Sequence, residues 1–174
     1  MSPYLTTDYF TGEILIPSIT GAGDVDTARA VELDYFITVY EAKYLKMLLG
    51  EDLYDELVAA VDAVVAPAVL ADKWQDLLDQ IFTEVNSIAF SPAAYYVYYK
   101  YQQYQLTVTL NSGEAKPVHE NASVVSAKIK MVNAWNRMVE LSEVIREWIV
   151  DDGTYDTYSV PSPDYLVETN QFGI

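Results

Sequence analysis

The side chains that could do chemistry are few and scattered. His119, the only histidine, sits beside Glu120. An imidazole next to a carboxylate is half of an acid–base pair. A zinc centre needs several ligands, and the chain has no cysteine and no His-Glu-x-x-His. His119 therefore reads as a solvated loop side chain. DDGTYD (151–156) offers acids around a glycine, as calcium loops do, but Gly153 comes third and the distal Glu spacing fails. It reads as a polar turn after a helix. GAGD (21–24) follows no clear strand and matches neither GxGxxG nor a P-loop. No Gly-x-Ser-x-Gly occurs, and a Ser-His-Asp triad has nothing visible to rest on. Carboxylates are so numerous that no pair stands out as a glycosidase dyad. The expectation is a protein that is not an enzyme and that uses no cofactor and no metal.

The densest feature is AAYYVYYKYQQYQ (93–105), with Tyr95, Tyr96, Tyr98, Tyr99, Tyr101 and Tyr104. At about 100° per residue these rings surround a helix. A base-stacking platform or a membrane-surface helix would gather them on one face beside basic residues. Only Lys100 is basic here. A helix that is aromatic all round is buried on most sides, and tyrosine suits both cores and half-wet interfaces. Tyr95 and Tyr99 are expected to point inward. Plain core packing is the leading reading of the ring, with Tyr98, Tyr101 and Tyr104 the candidates for contact with a neighbouring subunit.

Charge narrows the partners. The 174 residues carry 10 Lys/Arg against 26 Asp/Glu, a net −16, and half are apolar. That length fits one domain with a real core. Residues 1–62 hold twelve acids and three bases. Stable DNA binding and docking on an anionic membrane both need basic patches. A channel that nucleic acid passes without sticking tolerates this sign of charge. No apolar run approaches the roughly 20 residues of a membrane span, and the start does not read as a signal peptide. The lack of cysteine excludes disulfides and fits a cytosolic origin.

The elements expected to position these residues are mostly helices. Residues 1–26 look irregular, with EILIPSI as a possible short strand. Asp24 or Asp26 can cap a helix from about Thr27. Its apolar face is Leu33, Phe36, Ile37, Tyr40, Tyr44 and Leu48, and Gly50 is its stop. EDLYDELVAAV forms a second helix, and a link surrounds Pro67. From Asp72 a third helix runs through Trp74, Leu77, Leu78, Ile81, Phe82, Val85 and Ile88. Ser91-Pro92 starts the tyrosine helix. LTVTLNSGEAKPV (106–118) reads as a hairpin, with Pro117 suited to an edge. Asn121 or Ser123 caps a last helix over about 124–150, striped by Val125, Ile129, Val132, Trp135, Val139, Ile145 and Ile149. The fold class is mainly α. It is an antiparallel bundle of four to five helices over 1–150 with a small hairpin, followed by an extended C-terminal arm over 151–174.

The arm keeps Tyr155, Tyr158, Tyr165, Leu166 and Phe172, more large apolar groups than a solvated tail needs. It is expected to pack on another subunit. Removing 155–174 would then spare the fold and weaken assembly. The long helix also carries Lys128 and Lys130 near its start and Glu140, Glu143, Glu147, Asp151 and Asp152 towards its end, the reverse of what the helix dipole prefers. A solvated face is the plain account. A head-to-tail contact between basic and acidic ends of neighbouring subunits is the sharper one.

Several stretches resemble head–tail connector (head-completion adaptor) proteins of tailed bacteriophages and prophages. They are FITVYEAKYLKMLLGEDLYDEL (36–57), SPAAYYVYYKYQ (91–102), GEAKPVHENASVVS (113–126), AWNRM (134–138) and NQFGI (170–174). The resemblance implies a helical subunit of a homo-oligomeric ring, twelve-fold like the portal it sits under. It implies extended segments that reach neighbours, a channel through which DNA passes without stable binding, and no enzyme activity. The partners would be the portal protein and the next tail-completion protein. The location would be the virion, assembled in the bacterial cytoplasm. The rival reading is a bacterial helical module that binds a protein or small ligand through the tyrosine helix. An acidic hydrolase is a weaker third.

Overall fold

The computed structural model describes residues 4–17, 19, 23–64, 70–86, 88–106, 108–110, 113–115, 127–159, 161 and 166–169, with backbone alone at 108–110, 113–115 and 127. Five helices dominate: α1 (Asp24–Leu49), α2 (Glu51–Asp62), α3 (Asp72–Ile81), α4 (Pro92–Gln105) and α5 (Ala127–Asp152). Two antiparallel hairpins accompany them, β1 (Thr83–Val85) with β2 (Ile88–Phe90) and β3 (Val108–Leu110) with β4 (Gly113–Ala115). The second is the hairpin that the alternating pattern over 106–118 predicts.

Helix α4 is the central element, packed between α1 and α5. Ser91 caps it by accepting from the Ala93 N–H at 3.2 Å, and Pro92 takes the first turn, where a missing N–H does no harm. Phe36 meets Tyr101 and Tyr104, whereas Tyr44, a little over two turns later, meets Tyr96. The two helices are therefore antiparallel. Tyr99 meets Trp135 and Tyr95 lies by Arg137, so α4 is also antiparallel to α5. At the centre Tyr44 and Ser142, both buried, lie 2.7 Å apart between hydroxyl oxygens. Ser142 donates its one hydroxyl proton to the Met138 carbonyl at 2.6 Å, so Tyr44 is the donor of the pair.

Gly50 ends α1 and opens α2 at φ 80°, ψ 165°, a region that is essentially glycine's alone. A Cβ there would also sit 3.0 Å from the Ser159 carbonyl oxygen and 3.2 Å from Pro161 Cδ. Gly50→Ala is therefore expected to destabilise the fold by about 2–4 kcal/mol, read from urea denaturation. An unchanged midpoint would mean that this junction relaxes freely.

Three local expectations are corrected. EILIPSI is not a strand. Two 3-10 turns, Thr7–Tyr9 and Gly12–Ile14, carry the chain there, and Ile14, Ile16 and Ile19 reach the core. Gly12 at φ 58° permits the second turn. Helix α1 begins at Asp24 with Gly23 as its cap residue, and no side chain caps it. Helix α3 stops at Ile81 and does not continue to Ile88. Val85 and Ile88, each 57% exposed, face each other at the tip of the first hairpin. The β-branched Thr83 and Val85 and the left-handed Asn86 (φ 51°) favour a turn over another helical turn. Thr83 Oγ1 donates to the Asp79 carbonyl at 2.9 Å and closes the helix end.

At 1.5 Å per residue α5 is about 39 Å long. Its buried stripe is Met131, Ala134, Met138, Val139, Ser142, Ile145 and Ile149, while Ile129 is exposed and Trp135 half-buried. Asn121, Ser123 and Val125, and the link around Pro67, lie outside the described residues.

Candidate functional site

The tyrosine helix divides differently from the expected split. Tyr95, Tyr96, Tyr98 and Tyr101 are all buried within the chain. Tyr98 is only 2% exposed, so Tyr98 and Tyr101 are core residues, as plain core packing predicts, and are enclosed by their own chain instead of being open to a neighbouring subunit. The reason is the central place of α4, which has neighbours on opposite sides and no free face along its first two turns. Burial raises the Tyr96 and Tyr98 hydroxyl pKa values, and burial, reinforced by Glu32, pushes Tyr101 to about 12. Tyr99, expected inward, is half-buried against Trp135 at 5.0 Å. Tyr104 alone of the three candidates is open, at 54% exposed, with its ring 5.4 Å from Phe36.

The C-terminal segment packs on its own chain. Tyr155 is buried, lies tilted against Trp148 with ring centroids 5.6 Å apart and donates to the Lys73 carbonyl. Burial, then Asp152 and Asp76, pushes its hydroxyl pKa to about 12. Tyr158 donates to Glu56, which raises the phenol's pKa. Leu166 is buried, Trp135 Nε1 donates to the Val167 carbonyl at 2.8 Å, and Asn136 pairs with the backbone of Thr169 at both ends. Its Nδ2 donates to the Thr169 carbonyl at 2.9 Å and its Oδ1 accepts from the Thr169 N–H at 2.8 Å. The expectation that 155–174 lies wholly outside the core is corrected by Tyr155 and Leu166. Tyr165, Phe172 and His119 lie outside the described residues.

Lys128 and Lys130 are exposed near the start of α5, and Glu140, Glu143, Glu147, Asp151 and Asp152 are exposed towards its end. Lys130 lines a cleft of about 420 Å³ with Glu13, Asn136, Arg137 and Glu140. A neighbouring cleft of about 390 Å³ lies between Glu13, Phe90, Tyr95 and Arg137. Arg137 separates the two, donating to Glu140 at 2.7 Å with its guanidinium 5.8 Å from the Phe90 ring. Nothing in the sequence signalled these clefts, because Glu13, Phe90 and Arg137 are far apart in the chain and bear no motif.

Glu41 is the other unforeseen group. It is 3% exposed on α1, and its two oxygens accept from the Tyr4 N–H at 3.0 Å and the Leu5 N–H at 2.8 Å. It thereby clamps the N-terminal segment to the bundle. Burial raises its pKa above 4.5, and the Leu5 and Tyr4 N–H groups pull it only partly back. A carboxyl raised in the fold contributes stability that is present below the unfolded value and lost as pH rises through the folded one. Wild type is therefore expected to gain stability relative to Glu41→Gln as pH falls from about 7 to about 4.5, measured by urea midpoints. A gap that moves the other way would show that the two N–H bonds outweigh desolvation.

Among the described residues no group of three or more His, Asp or Glu could hold a metal ion, and no helix is long and apolar enough to cross a membrane. No protein-family model, curated protein or solved structure matches the chain.

Proposed function

We propose that this chain is a structural subunit of a phage or prophage virion, a head–tail connector that forms a ring under the portal and borders the DNA channel. The observation that carries this reading is the C-terminal segment held to α5 through its main chain. Asn136 grips the Thr169 backbone and Trp135 the Val167 carbonyl, so around 167–169 the contact runs through main-chain groups, beside the buried Leu166 side chain. A docking mode of that kind is transferable between copies of one chain, as segment exchange in rings requires. The net charge of −16 supports the same reading, because a channel wall of this sign lets a polyanion pass. The helical connector-like stretches at 36–57 and 91–102 fall on α1, α2 and α4 and add a third support. Twelve copies, matching the portal, are the expected ring.

The test is retention of the chain on the portal ring encoded in the same genome, with duplex DNA as the comparison ligand. Capture by the portal and none by DNA is expected. A chain that ignores its portal contradicts the proposal.

A further inference from the structure

Several cations have no acid partner among the described residues, and two of them, Lys43 and Lys100, lie together on the tyrosine cluster. Lys46 is held by Glu51 at 3.1 Å and Arg137 by Glu140 at 2.7 Å, as a chain with 26 acids leads one to expect. Lys43 on α1 and Lys100 on α4 have no acid partner among the described residues. The sequence explains why. Lys43 has Val39, Tyr40, Lys46 and Met47 at the helical neighbour positions, and Lys100 has Tyr96, Val97, Gln103 and Tyr104. Helix α4 contains no acid at all.

Both lysines lie on the outer rim of the tyrosine cluster. Lys43 Nζ is 4.8 Å from the Tyr40 ring centroid, and Lys100 Nζ is 5.4 Å from those of Tyr96 and Tyr99. The Tyr40 and Tyr96 rings are themselves 6.3 Å apart, and Trp135 continues the platform 5.0 Å from Tyr99. Lys100 is half-buried and donates only a long 3.5 Å bond to Gln103. Burial, with Lys43 adding to it, lowers the Lys100 pKa. Two ammonium groups thus repel each other on a patch of aromatic rings, and an anion placed between them would relieve that repulsion.

We infer that Lys43 and Lys100, with Tyr40, Tyr96 and Tyr99, form a binding site for a carboxylate side chain of a second copy of this chain. The inference rests on the connector reading, because it needs the chain to assemble. Charge complementarity selects the occupant. Copies of net charge −16 repel one another, so self-association requires cationic spots that internal acids do not already occupy. Each copy supplies exposed acids in excess, such as Glu143, Glu147 and Asp151 on α5. A nucleic-acid strand presents many phosphates in a row, whereas this cationic patch is small and surrounded by a field of the wrong sign. The aromatic floor shields the contact from water and strengthens it.

The experiment uses the full chain, half of it labelled with nitrogen-15, mixed with and without the cognate portal and treated with a zero-length carbodiimide. This reagent joins a lysine amine to a carboxylate already in contact. Mixed-isotope links at Lys43 or Lys100 are expected. The paired Lys43→Gln and Lys100→Gln substitutions should weaken self-association about tenfold. The paired arginine substitutions should keep the association and abolish the links, since guanidinium retains charge but does not couple. Same-isotope links only, or mixed links only at other lysines, would overturn the site. An assembled ring with its mixed links elsewhere overturns the site and leaves the connector reading standing. A chain that neither self-associates nor binds the portal overturns both.

Discussion

Tyr98→Ala is expected to lower the unfolding free energy by about 3–5 kcal/mol, whereas Tyr104→Ala should change it by less than about 1 kcal/mol. The two residues lie on the same helix and both carry a phenol. They differ in what surrounds them. Tyr98 is 2% exposed in the first two turns of α4, among the largest fully enclosed side chains, so truncation leaves a cavity in the core. Tyr104 is 54% exposed near the C-terminal end of the same helix. Natural domains have about 5–15 kcal/mol in total, so the Tyr98 variant sits close to the limit of folding. Tyr98→Phe keeps the ring volume and should remain within about 1.5 kcal/mol of wild type, which keeps the comparison readable if the alanine variant does not fold. Urea denaturation followed by circular dichroism gives all three values. A stable, monomer-like Tyr98→Ala chain that fails only in assembly would return Tyr98 to an interface.

Ending the chain after Gly153 is the second large effect. The truncation removes two core side chains, Tyr155 and Leu166, and uncovers Trp148. It also deprives the Lys73 carbonyl and Glu56 of their phenol donors. Each core group is worth about 2–5 kcal/mol, offset in part by the chain entropy that the freed segment regains. The net loss should lower the melting temperature by more than about 10 °C, on the scale of about 2–4 °C per kcal/mol for a chain of this size. Full-length Tyr155→Ala should account for roughly half of that loss. A truncated chain with an unchanged melting temperature would show that the segment belongs to assembly alone.

Helices with strong punctuation were legible. Ser91-Pro92 and Gly50 marked true boundaries because their physics is local: a hydroxyl cap with a ring at the first turn, and a backbone angle that only glycine tolerates. The apolar face of α1 was legible because one helix face meets one core. Harder cases needed information from distant residues. The periodicity of α3 ran past Ile81 because Val85 and Ile88 satisfy helical spacing as well as strand spacing, and only the Asn86 turn decides between them. The all-round tyrosine distribution made core packing legible, but not that Tyr98 and Tyr101 are among the enclosed rings, because a helical wheel shows which residues share a face, not how many neighbours the helix has. The Glu41 clamp, Arg137 between its clefts and the Lys43–Lys100 pair join residues far apart in sequence, and no spacing encodes them. The aromatic content of the C-terminal segment marks it as a packing element, but no spacing encodes its partners, the chain's own α2, α3 and α5.

The most direct test of the connector reading is native mass spectrometry of the chain mixed with the portal ring from the same genome. The account predicts a complex whose added mass equals one copy of this chain per portal subunit. Separate portal and chain masses, or one or two stray copies on a portal ring, would contradict it.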